Sequence, residues 1–521
     1  GQSPHLATLR LTGGTVRNGS VSASQFDLQA GSISADLQGG AGGVVKTGTG
    51  TVTLSGANGY FGGTTVSGGT LALAGDLALP TGGTLAIDGS GSVDLGGSTR
   101  SVAMLLLNTS GQLHGGSLLA GQLLLESGTI DASLVGAGPL VKQGTGTVAL
   151  RQASPGFSGF VELLDGTLAL QAANALNAGS TVLLNGPAGT TLAVNASSSV
   201  QALAGNSAGT VALAAGATLT HGSAGGSASS SYDGTITGAG SLRKQGSGSL
   251  ILGGSNAFTG GTTVDAGTLV LNGGTALADG GPLHLAAGAV LQLGAAETVG
   301  PLSGDGFIAL GSHLLTVRST TDSSFGGGID GTGGLVKQGG ATLTLSGTNL
   351  YSGSTTVQAG TLALAGGAAL DDASAVRVDG GATLQLAAGE TLGALTGAGA
   401  VALGPQTLTL GNGSDTLFSG SMGGTGGLVK QGAGSVTLSG SNGFTGGTVV
   451  QVGALVLAGG SALADGGALQ VAAGAAVQLA ASEAVGPLSG AGQVVLGTHT
   501  LTTGSAASSV FNGSLGGDGG L

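Results

Sequence analysis

The sequence predicts an all-β chain coiled into a parallel β-solenoid, in which each turn of the chain stacks on the turn before it. Three observations predict this fold. A segment of about 93 residues recurs along the chain, short runs of alternating apolar and polar residues fill each copy, and glycine, with 114 of 521 residues, separates the runs. Strands this closely spaced leave no room for crossover helices, so they can bury an apolar face only by stacking turn on turn.

The five lysines of the chain mark the repeat, because each lies in a variant of G-x-L-V-K-Q-G-x-G. They are Lys46, Lys142, Lys244, Lys337 and Lys430, at spacings of 96, 102, 93 and 93 residues. Other residues keep the step of 93, namely Asp279, Asp372 and Asp465, Gln292, Gln385 and Gln478, and Glu297, Glu390 and Glu483. The last three copies are therefore close, whereas the first two diverge, and residues 101–121 have no clear counterpart later.

The repeat divides the chain into five copies, and we expect one continuous solenoid over residues 1–521. The approximate copies are 43–138, 139–240, 241–333, 334–426 and 427–519. The closing residues 519–521 match the opening of the lysine motif, so we expect the array to be longer than this sequence.

Alternating runs within a copy predict which side chains form the core. In a strand, successive side chains point to opposite faces, so every second residue of a run such as Thr342 to Leu345 faces inward. The residues expected inside are Leu343, Leu345, Val357, Leu362, Leu364, Leu384 and Leu386.

An asparagine twelve residues after the lysine predicts a tight turn, and an aromatic residue two further on is expected to cap the apolar interior at a corner. The pairs are Asn58 and Tyr60, Asn256 and Phe258, Asn349 and Tyr351, and Asn442 and Phe444. In the second copy Ser154 replaces the asparagine and Phe157 lies one residue late, which predicts a remodelled turn.

We expect the lysines to face outward before a glycine turn, with the preceding Leu-Val pair inward. A turn of roughly 20 to 25 residues would give about four turns per copy and place successive lysines ~19 Å apart. That distance exceeds the ~8 Å screening length at physiological salt, so the lysines form no basic patch.

Composition excludes several classes of protein and partner. The chain is 40% hydrophobic but only 7% charged, and its net charge of −12 argues against nucleic acid and anionic lipid as partners. The longest apolar run, residues 102–107, is too short to span a bilayer. The absence of cysteine is compatible with export. Gly1 opens no signal peptide, so we expect any export signal to lie outside this sequence.

Residues 334–339, 342–353, 356–357 and 360–364 together resemble the autotransporter-associated β-strand repeat. Residues 302–316, with recurrences at 395–410 and 488–503, look like other repeats of autotransporter passenger domains. The resemblance implies a right-handed parallel β-helix exposed on, or secreted from, a Gram-negative bacterium by type V secretion. It also implies a C-terminal translocator barrel in the outer membrane, which we expect to lie outside this sequence.

No catalytic, cofactor or metal site is predicted. Ser207 lies in a G-x-S-x-G match, but that motif requires a strand-turn-helix context that we do not expect here. Asp371 and Asp372, with Arg377 and Asp379 nearby, are interpreted as a solvated turn, with a calcium site as the alternative. The histidines are too far apart to share a metal and are expected to be exposed; they are His5, His114, His221, His284, His313 and His499.

The sequence therefore predicts a structural or adhesive surface protein, a stalk or cell-adhesion and biofilm factor, and no enzyme. Its expected partners are a host or neighbouring cell surface or a glycan, which the recurring Lys, Asp and Glu positions would contact repeatedly along a flank. Two alternatives remain open: the scaffold of an enzyme-bearing passenger whose catalytic domain lies elsewhere, and a self-associating extracellular filament or lattice protein.

Overall fold

The computed structural model describes residues 5–39, 41–411, 413–504 and 508–521. Gly1, at which no signal peptide is predicted to begin, lies outside them. Over these ranges the chain consists of strands joined by turns, without a helix, and so without a helix that could cross a membrane. The chain divides into two compact bodies, Gly1–Thr263 and Val264–Leu521, called here the N-terminal and the C-terminal body.

Both bodies are parallel β-solenoids, with about 25 turns between them, which confirms the predicted fold class. The strands of the N-terminal body are β1 Leu6–Leu11, β2 Thr15–Val16, β3 Ser20–Leu28, β4 Gly31–Ile33, β5 Asp36–Gly39, β6 Val44–Lys46, β7 Thr51–Leu54, β8 Gly59–Tyr60, β9 Thr64–Val66, β10 Thr70–Leu73, β11 Thr84–Ile87, β12 Ser92–Asp94, β13 Thr99–Leu107, β14 Gly111–Leu125, β15 Gly128–Val135, β16 Leu140–Lys142, β17 Thr147–Leu150, β18 Val161–Leu163, β19 Thr167–Leu170, β20 Thr181–Leu184, β21 Thr191–Val194, β22 Ser198–Val200, β23 Ala202–Gly205, β24 Thr210–Leu213, β25 Thr218–His221, β26 Ser230–Tyr232, β27 Thr235–Gly238, β28 Ser241–Lys244 and β29 Ser249–Leu252.

Strand β30, Thr262–Val264, covers the boundary residues. The strands of the C-terminal body are β31 Thr268–Leu271, β32 Leu283–Leu285, β33 Val290–Leu293, β34 Glu297–Val299, β35 Leu302–Gly304, β36 Phe307–Gly311, β37 Leu315–Arg318, β38 Ser323–Phe325, β39 Gly328–Gly331, β40 Leu335–Gln338, β41 Thr342–Leu345, β42 Thr355–Val357, β43 Thr361–Leu364, β44 Ala375–Val378, β45 Thr383–Leu386, β46 Glu390–Leu392, β47 Ala394–Gly397, β48 Ala400–Gly404, β49 Leu408–Leu410, β50 Thr416–Phe418, β51 Ser421–Gly424, β52 Leu428–Lys430, β53 Ser435–Leu438, β54 Thr448–Val450, β55 Ala454–Leu457, β56 Leu469–Val471, β57 Ala476–Leu479, β58 Glu483–Val485, β59 Leu488–Gly490, β60 Gln493–Gly497, β61 Leu501–Thr503 and β62 Ser514–Gly517.

The strand register of the N-terminal body shows how many turns separate the first two lysines. Successive in-register partners run Lys46, Val66, Ile87, Leu107, Leu125 and Lys142. The two lysines are thus five turns apart, or ~24 Å at the usual strand spacing. The expectation of four turns was wrong because each turn takes about 20 residues, the lower end of the assumed range.

In the C-terminal body the repeat of 93 residues is not a whole number of turns. The in-register partners that follow Lys337 are Val357, Val378, Gly397, Phe418 and Leu438. Lys430 lies between the last two along the chain, and its strand β52 belongs to another sheet. Equivalent residues of these two copies therefore lie on different sides of the coil.

The core is made of aliphatic columns, one side chain above another in successive turns. All seven side chains that the alternation placed inside are buried, from Leu343 at 0% to Leu386 at 3% exposure. Burying a leucine or valine contributes about 1.5–3 kcal/mol relative to leaving it exposed. The prediction of the inward face is confirmed.

Buried aromatic rings sit above glycines of the preceding turn. Tyr60 pairs in register with Gly39 and Phe157 with Gly136, both glycines having positive φ. The capping rings Tyr60, Phe157, Phe258, Tyr351 and Phe444 are all 1% exposed. A second aromatic series, which the sequence analysis missed, comprises Tyr232, Phe325, Phe418 and Phe511, paired with Gly205, Gly304, Gly397 and Gly490. A ring over a glycine fills the space that the missing side chain leaves in the column.

Candidate functional site

The recurring lysines point into the solenoid, contrary to the expectation that they face outward. Their exposure is 0% for the first four and 1% for Lys430. In a Leu-Val-Lys strand the first and third side chains share a face, so Leu335 and Lys337 both turn inward. The expectation was wrong because it placed two neighbouring residues, Leu and Val, on one face.

Each buried ammonium group is held by backbone carbonyls. Lys337 Nζ donates hydrogen bonds to the carbonyl oxygens of Gln338 at 2.9 Å, Gly339 at 2.8 Å and Ala359, one turn on, at 3.1 Å. Lys46, Lys142 and Lys430 repeat the three-carbonyl arrangement, and Lys244 donates to Gln245 and Gly246. Burial lowers the pKa of Lys337 to about 8, against the attraction of Asp322. The lysines therefore link turns together and are not available to a partner.

The turn asparagines link three successive turns. Asn442 Oδ1 accepts the N–H of Met422 at 2.7 Å, and its Nδ2 donates to the carbonyl of Ala462 at 2.8 Å. Asn58 makes the same two bonds to Leu37 and Ala78. Ser154, which replaces the asparagine in the second copy, keeps only the first, its Oγ accepting the N–H of Leu134 at 3.1 Å.

The recurring glutamates are also structural. Glu297, Glu390 and Glu483 are 2–3% exposed. The Glu297 carboxylate accepts the N–H groups of Ala276 and Leu277, both at 3.0 Å. Burial raises the pKa of Glu297 to about 7, although the two N–H groups act against this shift. The expectation that recurring Lys and Glu side chains contact a partner along a flank is thus wrong, whereas Asp279, Asp372 and Asp465 are exposed.

The positions examined for catalysis or metal binding do not converge. Ser207 is exposed in a turn after β23, and Asp371 lies in a turn in which its carboxylate accepts the N–H of Ala373 at 2.8 Å. Arg377 and Asp379 form an ion pair at 2.7 Å. Among the described residues, no three His, Asp or Glu side chains are placed to hold a metal ion.

His114, His313 and His499 are half-buried and not exposed, and the expectation of exposure was most clearly wrong for His221. It is buried, pairs in register with Lys244, and lies 2.7 Å from Ser230 Oγ through Nε2. Burial, and then the charge of Lys244, lower its pKa to about 4.

One outer surface of the N-terminal body brings several polar side chains together. We call it the polar face: the outward residues of β12, β14, β15 and the chain that follows β17. Its two rows in register are Ser92, Gln112 and Thr129, and Asp94, His114 and Asp131, continued by Arg151, Gln152 and Gln171. The alternate residues of these strands, including Val93, Leu113 and Ile130, are buried.

Neighbouring turns of the polar face contact each other through these side chains. His114 Nε2 lies 3.0 Å from Ser92 Oγ, and His114 Nδ1 lies 4.0 Å from Asp94 Oδ1. Gln152 donates to Asp131 at 2.8 Å, and Arg151 donates to Gln171 Oε1 at 2.9 Å. Acceptors and donors therefore alternate from turn to turn.

A glycine bulge keeps part of the polar face open. Gly115 and Gly116 have φ of 76° and 143°, and the register between β14 and β15 shifts just there. A Cβ on Gly115 would collide with Asp94 Oδ1. Beside the bulge is a hollow of about 460 Å³, lined by His114, Asp131, Ser133 and Gln152 among others. A second hollow of about 500 Å³ is lined by Gln112, Thr129, Thr147, Arg151 and Gln171 among others.

A different part of the same large sheet carries an aliphatic stripe on its outer face. Leu106, Leu124 and Val141 follow one another in register, between Ala86 and Glu162, and all are half-buried. Leu106 belongs to the run that the sequence analysis noted as the longest apolar stretch. Its alternate residues Leu105 and Leu107 form the core, so such a run serves both faces of a sheet.

Outer rows of the C-terminal body are smaller and more uniform. One runs Thr344, Ala363, Gln385 and Ala402, and another runs Thr316, Val336, Thr356, Arg377 and Thr396. The surface chemistry of the polar face does not recur in these rows.

Sequence comparison identifies five passenger-associated-transport repeats, at residues 44–73, 140–170, 242–271, 335–364 and 428–457. Each begins in the strand that contains the lysine. It ends one turn later, in a strand that pairs with the strand following the lysine strand. The chain is also 38% identical over 304 residues to the adhesin BmaC autotransporter of Brucella suis biovar 1 (strain 1330). That match covers 53% of this chain but only 9% of the length of the Brucella protein. No solved structure matches the chain.

Proposed function

We propose that this chain is an adhesive, non-catalytic segment of an autotransporter passenger domain, exposed on or released from a Gram-negative bacterium. The family implies a translocator barrel in the outer membrane as its partner. The segment would hold an extended protein surface away from the cell and attach to another surface through its flank.

The observation that carries this proposal is that the inner side chains recur and stabilise the fold, whereas the outer side chains vary along the chain. The recurring Lys, Asn and Glu residues are buried and link turns, while the outer rows differ from place to place. A scaffold of this kind keeps its fold while its flank changes, which suits binding more than chemistry. The polar face, with its two hollows, brings polar groups together on one outer surface of the N-terminal body.

Display on cells tests the proposal. The chain is fused to an unrelated outer-membrane anchor in a non-adherent laboratory bacterium, and attachment to epithelial monolayers and to neighbouring cells is counted. We expect more attached cells than with the anchor alone, and a loss of this gain with Thr129→Trp, which fills the polar face. Gln385→Trp, at an outward position of the C-terminal body, is the matched control.

Attachment no higher than that of the anchor alone would contradict an adhesive role. Turnover of peptide, ester or glycoside substrates by the purified chain, abolished by a single substitution, would contradict a non-catalytic one.

A further inference from the structure

We propose that the polar face of the N-terminal body binds a neutral polysaccharide chain that runs along the stacking direction of the strands. The proposal rests on the adhesive function above and names the chemistry of the partner.

The functional groups of the polar face match a polyhydroxylated ligand. Asp94 and Asp131 offer carboxylate acceptors, while Gln112 and Arg151 offer planar donors, and Thr129 offers a hydroxyl group. Adjacent hydroxyl groups on a sugar ring both donate and accept, so they can bond to carboxylate and amide groups in pairs. A surface with both kinds of group can satisfy such a ligand without leaving polar atoms unpaired.

The charge balance of the polar face favours a neutral ligand. The row holds two carboxylates, Asp94 and Asp131, and one guanidinium, Arg151, so with a neutral His114 its net charge is small. A polyanion or a polycation would instead require clustered charges of the opposite sign. A neutral glycan gains hydrogen bonds here without a net electrostatic penalty.

The spacing of the polar face suits a chain of sugar rings. Equivalent side chains in successive turns are ~4.8 Å apart, which is comparable to the rise of one ring in an extended glycan. Asp94, His114 and Asp131 could thus meet consecutive rings of one chain.

The shape of the surface supports the same ligand. The bulge at Gly115 and Gly116 opens the first hollow, and the second lies beside it across Arg151 and Gln152. Neither hollow is an enclosed cavity, so a polymer can lie across both without entering by a free end. Several weak ring contacts along one chain would add up to a useful affinity.

Titration calorimetry of the whole chain with cellohexaose, xylohexaose, maltohexaose and chitohexaose tests the proposal. We expect saturable binding of at least one of these probes. Asp131→Asn and Thr129→Trp should each weaken it by about tenfold or more, the effect of losing one good polar contact. Gln385→Trp should leave it unchanged. Circular dichroism of each variant verifies that the fold is retained, and Gln112→Ala, a smaller change, replaces any variant that misfolds.

Absence of binding to all four probes would overturn the proposal, as would binding that Thr129→Trp and Gln112→Ala both leave intact. The cell-attachment assay separates this outcome from failure of the proposed function. Attachment that persists without binding of any probe rejects the glycan and retains adhesion; binding of a probe without attachment rejects adhesion and retains the glycan site.

Discussion

The N-terminal and C-terminal bodies share an inner plan and differ in what they add to it. In both bodies, each buried lysine donates hydrogen bonds to a group of backbone carbonyls, called here the lysine cage. In both, turn asparagines link successive turns. Among the described residues, buried glutamates occur only in the C-terminal body. In the first copy of the N-terminal body, the buried Arg100 donates to the carbonyls of Leu73, Gly75 and Leu95. The comparison indicates that the cages define the repeat, and that other inner links and all outer rows can diverge around them.

The largest expected effect is the same in both bodies. Leu362→Asp and its counterpart Leu71→Asp each bury an unpaired charge, which should destabilise the surrounding turns by several kcal/mol. Hydrogen exchange should show the damage confined to neighbouring turns, since each turn contacts chiefly the turns beside it. Uniform loss of protection through either body would contradict the picture of locally stacked turns.

The lysine cages should also be equivalent between the bodies. Lys337→Met and Lys142→Met keep the aliphatic stem but leave buried carbonyls without donors, so we expect each to lower the free energy of local opening by about 1–3 kcal/mol. The measurement is hydrogen exchange of the strands on either side. An effect in one body only would show that the cage is not the common element.

The buried glutamates should make the C-terminal body sensitive to rising pH. Because the pKa of Glu297 is raised from 4.5 to about 7 in the folded chain, the unfolded chain releases its proton first. Its contribution is therefore present below about pH 4.5 and is lost as pH rises to about 7. Opening of the 276–277 loop, followed by hydrogen exchange corrected for intrinsic rates, should increase over this range. Glu297→Gln should remove the dependence.

His221 should make the N-terminal body sensitive in the opposite direction. Since its pKa is lowered from 6.5 to about 4, the contribution of the neutral ring is present above about pH 6.5 and is lost as pH falls towards 4. His221→Val copies Val317, which pairs with Lys337 in the C-terminal body. This variant should flatten the pH dependence of exchange around β25 and β28. Unchanged pH dependence in the variant would exclude His221 as its source.

Outer residues should have the smallest effect on stability in either body. Leu124→Thr on the aliphatic stripe and Gln385→Ala on a small outer row leave the core unchanged, so both should stay within about 0.5 kcal/mol of the parent chain. Thermal unfolding compares them. A much larger loss for Leu124→Thr would show that the stripe is part of the packing and not a free surface.

Sequence periodicity was sufficient to predict the solenoid and its inward residues, since the alternation at positions such as Leu343 and Leu345 follows directly from strand geometry. The buried lysines could have been inferred from the same alternation, had it been applied through the whole Leu335 to Lys337 strand. The polar face was harder to foresee. Asp94 and His114 are 20 residues apart and His114 and Asp131 are 17 apart, because turns differ in length around the glycine bulge. Register, and not spacing, brings them together.

Because the 93-residue repeat is not a whole number of turns, its exposed residues face a different direction in each copy. Asp372 and Asp465 occupy equivalent positions in the sequence repeat. Because the repeat is not a whole number of turns, the two residues lie at different angles around the solenoid axis. A flat partner surface therefore cannot contact Asp372 and Asp465 at the same time. Duplication of a copy therefore does not repeat a surface contact on one side of the solenoid. It places equivalent surface residues on different sides, so that each side presents a different combination of residues from the repeat.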